Sequence, residues 1–221
     1  MSNKKNSGHK PRRSFATEQE SFWAGKFGDE YSVRNRGEQW VANNTAFFSK
    51  ILERSGEIGS VIELGANIGL NLQALRVLFP EAALTAVEIN ARAVRSLRRL
   101  GGITVHHSSL LNFHPEHQYD LALVKGVLIH IQPQKLPEVY DLLYQSSARL
   151  ICLAEYYNPV PVTVPYRGHS DRLFKRDFAG ELLKRYPDLR LLDYGFGYHG
   201  DPKHPQDDLT WFLLEKISRA R

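Results

Sequence analysis

Val61-Ile-Glu-Leu-Gly-Ala-Asn-Ile-Gly-Leu-Asn71 is the stretch whose reading decides the fold. Ser60 to Leu64 reads as a buried strand, Gly65 to Gly69 as a turn, and the residues up to Phe79 as a helix. Glycine has no Cβ, so a turn of this kind lets a ligand approach the backbone at Gly65 and Gly69. Glu88 stands 19 residues beyond Gly69, in the apolar run Leu84-Thr-Ala-Val-Glu-Ile89. An acid at that offset is placed to bind the two hydroxyls of a ribose. The glycine pattern is G-x-x-x-G preceded by Glu63, without the middle glycine that admits a pyrophosphate. The expected ligand is therefore an adenosine derivative without phosphates.

Outward from this stretch, strands and helices alternate. Strand 60–64 precedes helix 70–79, stopped by Pro80, and strand 83–89 precedes helix 91–100, ended by Gly101-Gly102. Strand 103–107 and a loop lead to strand Leu121-Ala-Leu-Val124, a helix over 134–147 and strand Arg149 to Glu155. A long loop, Val160 to Leu173, then precedes helix 175–186 and two final strands, Leu189 to Tyr198 and Leu209 to Ile217. Strands separated by helices imply a parallel sheet covered on both faces. Only Gly200 to Asp208, with Pro202 and Pro205, joins the last pair, too short a span for a helical crossover, so that pair is antiparallel. The expected fold class is α/β: a mostly parallel seven-stranded sheet with one antiparallel strand and helices on both faces.

Residues 15–55 precede this core (56–221) and read as a helical cap on the same single domain. Thr17 and Glu20 form a capping-box pattern, so a short helix starts there and stops at Gly25 or Gly28. Phe27-Gly-Asp-Glu-Tyr31 leads into a turn and then a helix from Gln39 to Arg54. The aromatics Phe15, Phe22, Trp23, Phe27, Tyr31 and Trp40 have two readings: core packing, or a lid over a cationic ligand.

Composition narrows the class. With 221 residues, 42% hydrophobic and 11% aromatic, the chain fits one soluble globular domain. No apolar run reaches 18 residues, and no apolar segment follows the amino-terminal charges, so neither a membrane span nor a secretory signal is expected. The single cysteine, Cys152, sits in an apolar run and reads as a core residue, which suits a reducing cytoplasm. The net charge of +5 is carried by Lys4, Lys5, Lys10, Arg12 and Arg13, in a segment without acids. Residues 1–14 read as a disordered basic tail, and the body is formally neutral, so charge is no evidence for nucleic-acid binding.

Glu63-Leu-Gly-Ala-Asn-Ile-Gly69 with Ala86-Val-Glu-Ile89 resembles the class I S-adenosylmethionine-dependent methyltransferases, which have a Rossmann-like fold of this strand plan. The resemblance implies S-adenosylmethionine as cofactor, with Glu63, Gly65, Asn67 and Gly69 around its methionine part and Glu88 and Ile89 at the ribose. Many members place an Asp after the third strand for the adenine amino group. Ser108 and Ser109, followed by Leu110, stand here instead, so a serine hydroxyl or backbone is expected to meet the adenine. Gly126-Val-Leu-Ile-His-Ile131 resembles the turn after the fourth strand of small-molecule members, which puts Lys125 and Val127 against the cofactor.

A narrower resemblance runs through Phe22-Trp-Ala-Gly-Lys-Phe-Gly-Asp-Glu-Tyr31 with Arg34-Asn35, joined to the two motifs above. Together they look like the methyltransferases associated with pseudaminic acid biosynthesis, over most of 15–217. This adds Trp23, Tyr31 and Arg34 to the expected cofactor site and suggests an anionic or amino-sugar acceptor. Tyr157, Asn158, Arg167 and Arg172 are the expected substrate contacts. His130 is read either as packing beside the cleft or as a base; His169 is the other candidate base, and Tyr156 positions the acceptor. No Cys/His spacing calls for a metal. Two other readings stay open: an RNA or protein methyltransferase anchored by the basic tail, and a catalytically silent adenosyl-ligand binding subunit.

Overall fold

The computed structural model describes residues 15–34 and 37–217; the tail assigned to 1–14, and Asn35 of the entry motif, lie outside them. Three helices come first, α1 (Glu18–Ala24), α2 (Lys26–Arg34) and α3 (Glu38–Ile51). The capping box forms as expected. The Thr17 hydroxyl accepts the Glu20 N–H at 3.1 Å, and the Glu20 carboxylate accepts the Thr17 N–H at 2.8 Å. Residues 27–31, expected only to lead into a turn, are part of the helix α2. Gly25 ends α1, but Gly28 is a packing glycine, since a Cβ there would lie 1.9 Å from the Trp23 carbonyl oxygen.

The core follows the expected alternation: β1 (Ser60–Leu64), α4 (Leu70–Leu78), β2 (Ala83–Glu88), α5 (Ala91–Leu100), β3 (Ile103–His107), β4 (Tyr119–Lys125), α6 (Leu136–Ser146) and β5 (Ser147–Glu155). Two 3₁₀ turns, Leu128–His130 and Pro133–Lys135, separate β4 from α6. The segment expected as a long open loop is largely a hairpin, β6 (Val162–Tyr166) and β7 (His169–Lys175). Arg167 and Gly168, at φ 49° and 86°, supply the two left-handed positions that a two-residue hairpin turn requires. The charged residues around them hid the alternation of Val162 and Val164 and the apolar pair Leu173-Phe174 opposite. Because β7 takes residues up to Lys175, α7 (Phe178–Arg185) starts later than expected, with the Asp177 side chain accepting the Gly180 N–H at 2.8 Å.

β8 (Leu189–Gly197) and β9 (Leu209–Lys216) complete a seven-stranded sheet of order β3-β2-β1-β4-β5-β9-β8. β9 runs antiparallel to both β5 and β8, and the pairs from β3 to β5 are parallel. Both faces of the central strands are buried, whereas the edge strand β8 is largely exposed. Val61, Leu121, Leu123, Cys152 and Trp211 pack toward Phe48 and Ile51 of α3 and Leu72 and Leu75 of α4. Ile62, Val124, Ile151 and Leu214 pack toward Val139 and Leu143 of α6 and Phe178 and Leu182 of α7. Burial pushes the Cys152 thiol up to about 12, as fits a core side chain. Among the described residues no helix is long and apolar enough to cross a membrane.

The two glycines of the opening turn are also required by packing within the chain. At φ 79°, a Cβ on Gly65 would sit 2.7 Å from Val127 Cγ2; at φ 83°, one on Gly69 would sit 2.7 Å from Leu97 Cδ2. The space is used by the turn after β4 and by α5, so these glycines pack the protein against itself.

Candidate active site

Chain order reverses between β1 and β4, and a cavity opens beyond the carboxyl ends of these strands. Its floor is the turn Gly65–Ile68 and the ends of β2 and β4. Its walls are Ser108–Leu111 on one side and Asn44, Tyr156, Asp207 and Leu209 on the other. α1 and α2 cover it with Glu20, Trp23, Gly28 and Tyr31, and the hairpin adds Tyr166.

Glu88 lines the cavity at the end of β2 and is almost wholly buried. One carboxylate oxygen accepts the Asn67 N–H at 2.7 Å and the other the Asn90 N–H at 2.7 Å. Asn67 reaches this position through a left-handed conformation, φ 47°, which asparagine tolerates better than most residues. Burial raises the Glu88 carboxyl above the usual carboxylate range, and the backbone N–H groups of Asn90, Asn67 and Ile89 pull it back. Asn90 also caps α5, accepting from Arg92 and Ala93 N–H at 2.9 Å each. Its amide donates to the Trp23 carbonyl at 3.2 Å and to Asp29 at 3.0 Å. One side chain thus ties the lid to the strand that carries Glu88.

Glu63 does not line the cavity; it anchors a buried chain of hydrogen bonds behind it. Asn71 donates to Glu63 at 2.6 Å, Asn44 donates to Asn71 at 2.9 Å, and Lys125 donates to Asn44 at 3.2 Å. Burial pushes the Glu63 carboxyl up to about 8 and lowers the Lys125 ammonium, whose fall is opposed by Asp207 and Glu63. Lys125, Asn44 and Asn71 form the cavity surface of this chain.

The turn after β4 is held by a residue the sequence left unremarked. Glu155, buried at the end of β5, accepts the N–H groups of Val127 at 2.9 Å, Leu128 at 3.0 Å and Ile129 at 3.4 Å. Burial pushes its carboxyl up to about 7 against these donors. The turn so fixed presents His130, whose Nδ1 donates to the Arg172 carbonyl at 2.7 Å and whose ring lies between Trp23 and Tyr166.

Burial lowers His130 to about 4. Between that value and the usual 6.5 the unfolded chain binds a proton that the native ring does not. The stabilisation from this group is therefore complete above pH 6.5 and is lost as pH falls toward 4, about 3 kcal/mol in total. The acid limb of a stability-versus-pH curve is expected to be shallower in His130→Gln than in the native chain. Parallel limbs would show that the ring is not buried neutral.

The structure gathers Gly65, Asn67, Glu88, Ile89, Ser109, Leu110, Lys125, Val127, Trp23, Tyr31, His130 and Tyr156 at the cavity. Glu63 and Gly69 stand behind its wall. Arg34 is exposed, with its guanidinium 5.6 Å from the Phe27 ring centre. The four expected substrate contacts are not brought to the cavity. Tyr157 and Arg167 are exposed, and the Asn158 amide is turned to the Val160 carbonyl at 2.6 Å. Arg172 pairs with Glu18 at 3.0 Å and Asp171 at 2.7 Å, facing the lid. His169 is exposed against Phe22. All five belong to the hairpin or its approach, which turns Tyr157, Arg167 and His169 to the surface and Arg172 toward α1. The cavity instead has Asn44, Asn71 and Asp207. Asn90 had a visible signal, an asparagine directly before a helix; Glu155 had none, because its partners lie 26 to 28 residues away.

Sheet order, the single antiparallel strand β9 and a cavity at the switch point together define the Rossmann-like fold of the class I methyltransferases. Solved structures of that fold superpose over nearly the whole chain. Plantazolicin methyltransferase BpumL, solved with SAH, matches with a TM-score of 0.62 at 15% identity, over 90% of this chain and 94% of that one. The 1,6-didemethyltoxoflavin-N1-methyltransferase of Burkholderia thailandensis, solved with 1,6-didemethyltoxoflavin and S-adenosylhomocysteine, matches with 0.64 at 17%, over 90% and 87%. Magnesium protoporphyrin IX methyltransferase (ChlM) of Synechocystis PCC 6803, solved with SAM, matches with 0.62 at 11%, over 92% and 99%. No protein-family model matches the chain, and no curated sequence does.

Proposed function

We propose that this chain is an S-adenosylmethionine-dependent methyltransferase that methylates an oxygen or nitrogen atom of a small polar molecule. The observation that carries the reading is Glu88: a buried carboxylate in the cavity, held on both oxygens by backbone N–H groups, at the end of the second strand of this fold. Structural neighbours solved with SAM or SAH support the same cofactor.

The residues present fit that cofactor. Glu88 receives the ribose hydroxyls on its cavity side. Trp23, Tyr31, Tyr156 and Tyr166 give the cavity the aromatic walls that a sulfonium cation favours. When bound, S-adenosylmethionine supplies an activated methyl group. What the chain contributes is orientation and exclusion of water beneath α1 and α2. Burial pushes the Tyr156 hydroxyl up to about 12, so it stays protonated and donates a hydrogen bond to the acceptor. With its proton affinity so low, His130 serves in this reading by packing and by holding the hairpin.

The acceptor end is the wall of Asn44, Lys125, Tyr156 and Asp207, where one cation and one anion face a polar molecule. An anionic or amino sugar of the nonulosonic class fits this pairing and agrees with the motif at 22–31. In this reading Lys125 takes the receiving role first given to Arg167 and Arg172.

Calorimetry with S-adenosylhomocysteine is expected to give one site per chain. Methyl label from S-adenosylmethionine is then expected in the small-molecule fraction of a cell extract. Absence of any binding would refute the cofactor. Label confined to RNA or protein, and lost on deleting residues 1–14, would move the acceptor to a polymer.

A further inference from the structure

The cofactor reading leaves one gap. From Glu88 the cavity continues toward the next strand outward, β3, since Glu88 pairs with His107 and the cavity is lined on both sides of that step, so an adenosine with its ribose at Glu88 has room for its base there. The residues immediately beyond His107 are Ser108–Leu111, the cavity wall on that side. No acid follows β3 there until Glu116. The structure brings one from elsewhere. Glu20 of α1 is buried at 8% exposure, lines the cavity, and accepts the Ser109 hydroxyl proton on Oε1.

The capping box does not account for this placement. It occupies Oε2, which accepts the Thr17 N–H at 2.8 Å and its hydroxyl at 3.1 Å. Oε1 has Ser109 as its one hydrogen-bond donor among the described residues, and a carboxylate oxygen accepts two. Ser109 is itself fixed by accepting the Leu111 N–H at 3.1 Å. The pair is therefore a rigid acceptor at the base end of the cavity, delivered by the lid across 89 residues of sequence.

We propose that Glu20 reads the exocyclic amino group of the cofactor's adenine, so that the N-terminal lid, and not the sheet, completes the base pocket. This inference rests on the cofactor reading above. It makes lid and cofactor mutually dependent: α1 docks on Ser109 and Asn90, and the adenine bridges its underside to the sheet. It also sets base specificity. A purine with a 6-oxo group in place of the 6-amino group presents an acceptor to Glu20 and is rejected, because two buried acceptors then face each other.

The test is calorimetry on the full chain with S-adenosylhomocysteine and with S-inosylhomocysteine. The native chain is expected to prefer the adenosyl compound by about 50-fold, as sites that bury a matched polar group do. Glu20→Gln keeps the capping box, which glutamine also forms, and its amide can donate to a 6-oxo group. It is expected to bind the inosyl compound more tightly than the native chain does and to shrink the preference to about threefold. A gain of affinity does not come from a damaged fold. If the native chain binds S-adenosylhomocysteine and the preference is unchanged in Glu20→Gln, the inference is overturned while the cofactor reading stands. If it binds neither compound, the cofactor reading falls, and this inference with it.

Discussion

Glu88→Ala is expected to weaken S-adenosylhomocysteine binding about 100-fold, or roughly 3 kcal/mol, the worth of a buried carboxylate that accepts two hydroxyl protons. Its effect reaches beyond the ligand. The N–H groups of Asn67 and Asn90 lose their acceptor, and the turn that holds Asn67 at φ 47° loses the bond that fixes it. A buried donor left unpaired costs about 1–3 kcal/mol, so the unliganded variant is also expected to melt several degrees lower. Glu88→Gln separates the two effects. It fills the same space but offers one acceptor oxygen for two backbone donors. Calorimetry and thermal melting of both variants, without ligand, check this. Native-like affinity in Glu88→Ala would remove Glu88 from the ligand site.

Glu155→Ala is expected to have the largest effect on stability. Three backbone N–H groups, of Val127, Leu128 and Ile129, lose their acceptor in a buried place. The cost is expected to be at least about 3 kcal/mol, a fall in melting temperature of roughly 6–12 °C for a domain of this size. Glu155→Gln keeps the two bonds made by one oxygen and loses the third, the longest, so it is expected to fall by less than half as much. The turn it supports carries Val127, which fills the space over Gly65, and His130, which holds the hairpin. Ligand affinity is therefore expected to fall with stability in Glu155→Ala. A melting temperature within a degree or two of native would show that the turn is held by other means.

The parts of this molecule that were legible in its sequence are those written in local periodicity. β1, the turn at Gly65, β2 and Glu88 follow from a buried run, two glycines and a fixed offset. The antiparallel pairing of β8 and β9 follows from a connection too short for a crossover. The hairpin at 162–175 was not legible, because its signal is two left-handed residues, one of them an arginine, among charges that resemble a solvated loop. Its misreading carried Arg167, Arg172 and His169 into a site they do not reach. Glu20 and Glu155 were illegible for another reason. Each meets its partner through tertiary contact, and Glu20 already had a sufficient local role as a capping residue. The glycine pattern marks close approach, and within the chain the groups that approach are Val127 at Gly65 and Leu97 at Gly69.

The place of β9 has a consequence for how the chain is made. It follows the other eight described strands in sequence, yet it lies inside the sheet, between β5 and β8. Until Leu209 to Lys216 emerges, β5 shows an unpaired edge along Leu150, Ile151, Cys152 and Leu153, all buried in the finished protein. An exposed apolar edge of that kind recruits other strands. Pairing β5 with β9 also closes a loop of some sixty residues, a slow step set by chain entropy. A growing chain is thus most prone to aggregation in the interval before β9 is made, when most of the residues that line the cavity are already present.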